Sequence, residues 1–168
     1  QHVIDGNSKA DFIISKILLM TSFSLISTTY LFLLGAIFGF STGGGDLFVD
    51  IKYLLVYFIQ SLGYMSVGLI IAVLIRSSAL SIITFICSIL AEFILRLLIP
   101  DGIDQYFPMK IISNLTPIPT PKGFIVAEMK NSMLPEVMTL NTTLIIGVFY
   151  VLTFWGISYF ILTKKDIK

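Results

Sequence analysis

Four stretches of the chain stay apolar for about twenty residues each, the length an α-helix needs to cross a bilayer. The first, 17–40, and the second, 53–75, carry no charge, and Gln60 is the most polar member of the second. The third, 79–99, holds Glu92 and Arg96; the fourth, 143–163, is uncharged. Backbone groups in lipid must bond within their own segment, and a closed β-barrel would show shorter, alternating segments. The pattern predicts an all-α integral membrane fold, one transmembrane domain over 1–168. Besides four transmembrane helices it has a short surface helix over 1–16 and short interfacial or re-entrant helices within 100–142.

The connectors refine this picture. "STGGGDLFVDIK" is a Gly-rich turn between the first two spans. "RSS", 76–78, is so tight that the second and third spans are expected to be antiparallel neighbours. The stretch 100–142 holds all six prolines. Ile111, Ile112 and Leu115 in it have helical spacing, as do Phe124, Ile125, Ala127 and Met129, but Pro108, Pro117, Pro119, Pro121 and Pro135 are expected to break any long helix. Backbone of this kind is tolerated at membrane depth only under cover of other protein or water. At the other end, Gly6 interrupts the chain, Asn7 or Ser8 is placed to cap a helix, and Asp11 sits where a capping box wants an acid. Phe12, Ile13 and Ile14 give that helix an apolar side, and it turns into the first span near Lys16, whose ammonium snorkels to the interface.

Composition fixes the class. Hydrophobic residues make up 56% of the chain and charged residues 12%, against about 25% charged in a soluble domain. A net charge of +1 gives no basic field for nucleic acid. Lys9, Lys16, Arg76, Lys164, Lys165 and Lys168 fall on one side of the membrane, and Lys52, Lys110, Lys122 and Lys130 on the other. The first set clusters closer to the helix ends, so both termini are expected to be cytoplasmic. A chain that opens on Gln, with no basic leader ahead of its first apolar run, is expected to be part of a longer protein.

Candidate chemistry is sparse. Glu92 and Arg96 are four residues apart, on one helical face. Charges inside a membrane are costly and often functional. They read as a transmembrane pair that lines a pathway or braces a gate, or as a structural pair with Glu92 shielded by Arg96 or by polar atoms of the 100–142 segment. Gly35 and Gly39 form a GxxxG pattern that allows close helix packing, and Gly63, Ser66 and Gly68 offer a second small face. Cys87 has no second cysteine to pair with and reads as a small packed hydrophobe. Tyr53, Tyr57, Trp155 and Tyr159 read as interface anchors. A lone histidine, His2, excludes a zinc cluster, and the glycine triplet lacks the Lys-Ser/Thr of a phosphate loop. No catalytic residue, bound cofactor or metal site is expected.

The opening and closing segments resemble permeases of the ABC-2 type transporter family. Asp5-Gly6, Lys9, Phe12-Ile13-Ile14 and Ser15-Lys16 are similar to the segment that precedes the third span of such permeases, and "YFILTKKDIK" resembles their usual finish. The order of three spans, a Pro-rich segment and a closing span is also similar, over nearly the whole chain and about two thirds of a typical permease; the family's amphipathic start and first two spans have no counterpart here. The resemblance implies that 1–16 is a cytoplasmic coupling helix, with Asp5, Gly6, Ser8, Lys9 and Phe12 docking on an ATP-binding cassette subunit that holds ATP and Mg. It implies a second permease copy or a related permease as dimer partner, and a multi-pass place in a bacterial plasma membrane. The function expected is the membrane-spanning permease subunit of an ATP-driven exporter, not itself an enzyme. A contrasting expectation is a non-transporting four-helix accessory, immunity or assembly protein.

Overall fold

The computed structural model describes residues 9–41, 51–75, 77–99, 103–116 and 138–164. They form α1 (Lys9–Ser41), α2 (Ile51–Leu74), α3 (Ser78–Leu98), a 3-10 turn (Asp104–Tyr106), α4 (Pro108–Asn114) and α5 (Leu140–Lys164). There is no strand among the described residues. The helices α1, α2, α3 and α5 have 33, 24, 21 and 25 residues and are long and apolar enough to cross a membrane. The all-α membrane fold is thus as expected, and each span lies within a few residues of its expected bounds except at the start of α1.

No break separates a surface helix from the first span. From Lys9 to Ser41 the chain is one α-helix, about 50 Å long against the ~30 Å of a hydrocarbon core. Lys16 is inside it rather than at a junction. The physical reason is local. Neither Gly nor Pro occurs between Lys9 and Leu34, and the hydroxyls that would compete with the helix fold back onto it. Ser15, Thr21, Ser22, Thr28 and Thr29 each donate to the carbonyl four residues earlier, at 2.7–2.8 Å. The expected caps, Asn7 and Ser8, lie outside the described residues.

Antiparallel α1 and α2 are joined by a polar seam. The Ser24 and Ser61 hydroxyls are 2.8 Å apart, and Ser27 meets Tyr57 at 2.7 Å. Tyr57, expected to anchor at the interface, is instead tied to α1. Such interhelical bonds contribute about 0.6 kcal/mol on average. Accordingly, Ser61→Ala is expected to lower stability by under about 1 kcal/mol, measured by unfolding in mixed micelles.

α5 runs parallel to α2: Ile59 lies beside Gly147, and Leu62 and Val151 meet further along. These two join Met20 and Leu69 in a core edged by Ile17, Phe58, Met65, Val73 and Trp155. α2 is the hub, contacting α1, α3, α4 and α5. α3 lies at the edge of the bundle: 6% of its apolar window is buried, against 33% for α2. Its antiparallel pairing with α2 follows the tight turn, as expected. Cys87 is exposed on α3, a correction to its reading as a packed residue, because the face it occupies meets no other helix among the described residues. Among the described residues Gly35 likewise has open space around it.

Two faces of the bundle are distinguished below. The terminal face holds the start of α1, the end of α5 and the α2–α3 turn. The loop face holds the other helix ends.

Candidate functional site

The most deeply buried aliphatic side chains include three from the loop-face segment: Ile111, Ile112 and Leu115 are each 1% exposed or less. A loop touching a bundle's rim would not reach such burial. α4 is a re-entrant helix that descends between α2 and α5. Ile112 packs on Gly63, which lies about 18 Å along the α2 axis from Ile51, near the middle of that span. Leu115 and Ile111 pack on Gly147 of α5. The two glycines supply the room. A Cβ at Gly63 would stand 2.9 Å from Ile112 Cγ1, and one at Gly147 would stand 3.4 Å from Leu115 Cδ1.

Pro108 begins this helix instead of breaking it. At the first helical position proline gives up no needed donor and its fixed φ suits the turn. Phe107, at the N-cap position, has no side-chain oxygen to receive the next amides. Glu92 of α3 does so instead. Its Oε2 accepts from the Met109 N–H at 3.1 Å and its Oε1 from the Lys110 N–H at 3.0 Å. The carboxylate is 8% exposed and sits about 9 Å below the end of α3. Two bonds to an ionised acceptor are among the stronger hydrogen bonds available, and they satisfy amides that would otherwise be unpaired inside the membrane.

The expected Glu92–Arg96 ion pair is not formed. Among the described residues Arg96 has no carboxylate partner, and its guanidinium lies 5.8 Å from the centre of the Phe93 ring. The other alternative, shielding of Glu92 by polar atoms of the 100–142 segment, is what the structure shows. Backbone amides win because two of them converge on one carboxylate without ordering a long side chain.

Three more contacts complete the clasp. The Thr116 hydroxyl bonds the Gln60 side-chain oxygen. The Tyr150 hydroxyl donates to the Tyr106 carbonyl at 2.6 Å. Lys110 Nζ pairs with Asp104 Oδ2, tying α4 to the 3-10 turn. Gln60, Gly147 and Tyr150 were not expected as site residues, and Gly63 only as part of a small packing face. The one sequence signal was Gln60 as the sole amide in an apolar span. Of the α2 small face, Gly63 meets α4 and Ser66 is buried, while Gly68 has nothing within 4 Å. That gap belongs to a cleft of about 620 Å³ between α2 and α3, lined by Tyr64, Met65, Ile82 and Phe85 and running to Ile75 and Ser78 near the terminal face.

At the start of α1, Ile13 is buried, Asp11 and Ile14 are exposed, and Phe12 is half-buried with the Lys16 ammonium 5.5 Å from its ring centre. Lys9 opens the helix. Asp5, Gly6 and Ser8, and with them the rest of the expected docking surface, lie outside the described residues. So do Phe124, Ile125, Ala127, Met129 and the prolines from Pro117 to Pro135. No group of three or more potential metal ligands occurs among the described residues.

Four spans around a re-entrant helix define a multi-pass α-helical membrane protein. The chain belongs to the family described as "Protein of unknown function (DUF2705)", whose model matches residues 3–168. No curated protein and no solved structure matches the chain.

Proposed function

We propose that the chain is the membrane-spanning permease part of an ATP-driven ABC exporter of the ABC-2 type, with nucleotide handled by a separate ATP-binding cassette subunit. One observation carries this reading: the bundle is asymmetric. At the loop face α4 fills the space between α2 and α5 and is clasped there by Glu92, Gln60 and Tyr150. Toward the terminal face a cleft opens between α2 and α3. A bundle plugged between α2 and α5 at one face and cleft between α2 and α3 toward the other has the form of one state of an alternating-access cycle. The cleft walls are apolar with hydroxyls from Tyr64, Ser78 and Ser81, which suits an apolar or amphipathic cargo.

α1 supplies the lever. It is one helix from Lys9 to Ser41, longer than the hydrocarbon core, so its first turns project at the terminal face and move rigidly with the span. Asp5, Gly6, Ser8, Lys9 and Phe12 form the docking surface for the ATP-binding subunit, which places the terminal face in the cytoplasm. A second copy or a related permease packs on the GxxxG surface at Gly35 and Gly39.

The test is purification from native membranes, with identification of stably bound polypeptides by mass spectrometry. A partner bearing a phosphate-loop nucleotide site is expected. Lys9→Glu and Phe12→Ala are expected to reduce cargo movement while the partner's ATP turnover persists. Recovery of the chain with no nucleotide-hydrolysing partner would favour the accessory or assembly role.

A further inference from the structure

We propose that Glu92 is a proton-binding latch, which holds α4 in the bundle when ionised and releases it when protonated. This goes beyond the permease reading and does not depend on it, since it concerns only how α4 is held.

The geometry sets the logic. An ionised carboxylate only accepts, and both of its oxygens are used, Oε2 by Met109 N–H and Oε1 by Lys110 N–H. Uptake of one proton from water turns one oxygen into a hydroxyl, which must donate. The carboxyl then has one good acceptor for two amides, and an O–H aimed at an N–H it cannot bond. One amide then loses its partner beneath the loop face, and Phe107, at the N-cap position, has no side-chain oxygen to take it.

Among the described residues no cation is paired with Glu92. Arg96, on its own helix, is turned to Phe93. The Lys110 ammonium, on α4, is engaged by Asp104. From α2 and α5 the carboxylate is faced by Tyr64 and Tyr150, which lie within its electrostatic reach. The start of α4 is therefore held through the charge of one buried group. With Glu92 ionised the two bonds are complete; adding a proton removes one of them, so docking weakens when the carboxyl is protonated. Loss of a hydrogen bond to a charged acceptor is expected to shift the docking equilibrium by roughly tenfold or more.

The experiment places spin labels at Ser113→Cys and Asn141→Cys in a Cys87→Ser background; both sites are exposed, one on α4 and one at the start of α5. The distance between them is measured in lipid nanodiscs over a pH series, without any ATP-hydrolysing partner. One short distance is expected at neutral pH, with a longer one gaining population as pH falls. With E92Q added, the distribution is expected to be the same at every pH. A pH-independent distribution in the Glu92 protein would overturn the latch, as would a transition that survives E92Q. The first of these holds even if E92Q proves unstable. None of these results bears on whether an ATP-binding partner docks at α1, so the two proposals fail separately.

Discussion

Replacing Gly63 with leucine is expected to drive α4 out of the bundle. Even the first added carbon would lie 2.9 Å from Ile112 Cγ1, with Cδ1 and Cγ2 of the same side chain at 3.1 and 3.2 Å. Ile112 is fully buried and β-branched, so it has few rotamers to retreat into. Overpacking of this kind costs about 1–3 kcal/mol, and α4 relieves it most cheaply by leaving. The loss is read as a lower unfolding midpoint in mixed micelles and as new exposure of a cysteine placed at Ser113. Ile112→Ala is itself destabilising, yet combined with Gly63→Leu it makes room. The double variant is expected to be more stable than the sum of the single losses implies, since residues in contact are not additive. Gly35→Leu serves as the contrast. Among the described residues outside its own helix backbone, nothing lies within 4 Å of a Cβ added there, so no change in the stability of the isolated chain is expected.

The second large effect is expected at Glu92. In Glu92→Leu two backbone amides lose their acceptor at the start of a buried helix. At about 1.5–3 kcal/mol for a hydrogen bond to a charged group, the combined loss is at least ~3 kcal/mol. Glu92→Gln keeps one good acceptor and is expected to lose about half as much. Arg96→Met is the discriminating variant. Had Glu92 and Arg96 been a buried ion pair, removing either partner would cost about 3–5 kcal/mol. Since Glu92 is held by amides, Arg96→Met is expected to change stability by under about 1 kcal/mol. The three variants are compared by unfolding in the same micelle system.

The spans were legible in the sequence because a twenty-residue apolar run with one or no charged pair has few places to go other than across a bilayer. Their neighbours were legible only where a short turn forced them, as for α2 and α3. What escaped was set through space. Glu92 lies four residues before Arg96 in the chain, so local spacing favours that partner. The amides of Met109 and Lys110 reach it only because the chain re-enters the membrane, and nothing local announces this. Pro108 carries two opposite meanings, helix breaker or helix start, and the choice depends on the extended backbone of Phe107. Glycines were visible as small, but only the depth of Ile112 separates Gly63, which holds a neighbour, from Gly35, which does not. Cys87 was read as packed because it sits mid-span. Membrane spans lack the usual link between apolar and buried, and on α3 apolar side chains face outward. The continuity of α1 through Lys16 was missed for a related reason: one lysine at an interface marks where lipid begins, not where a helix ends.

Hydrogen exchange of the backbone over residues 108–116, measured by mass spectrometry in lipid nanodiscs, tests most directly whether α4 sits clasped within the bundle. Protection approaching that of the α2 segment around Gly63 is expected, with the Met109 and Lys110 amides among the slow ones. Exchange as fast as that of an exposed loop would mean that Glu92 holds nothing and that the bundle is not closed at its loop face.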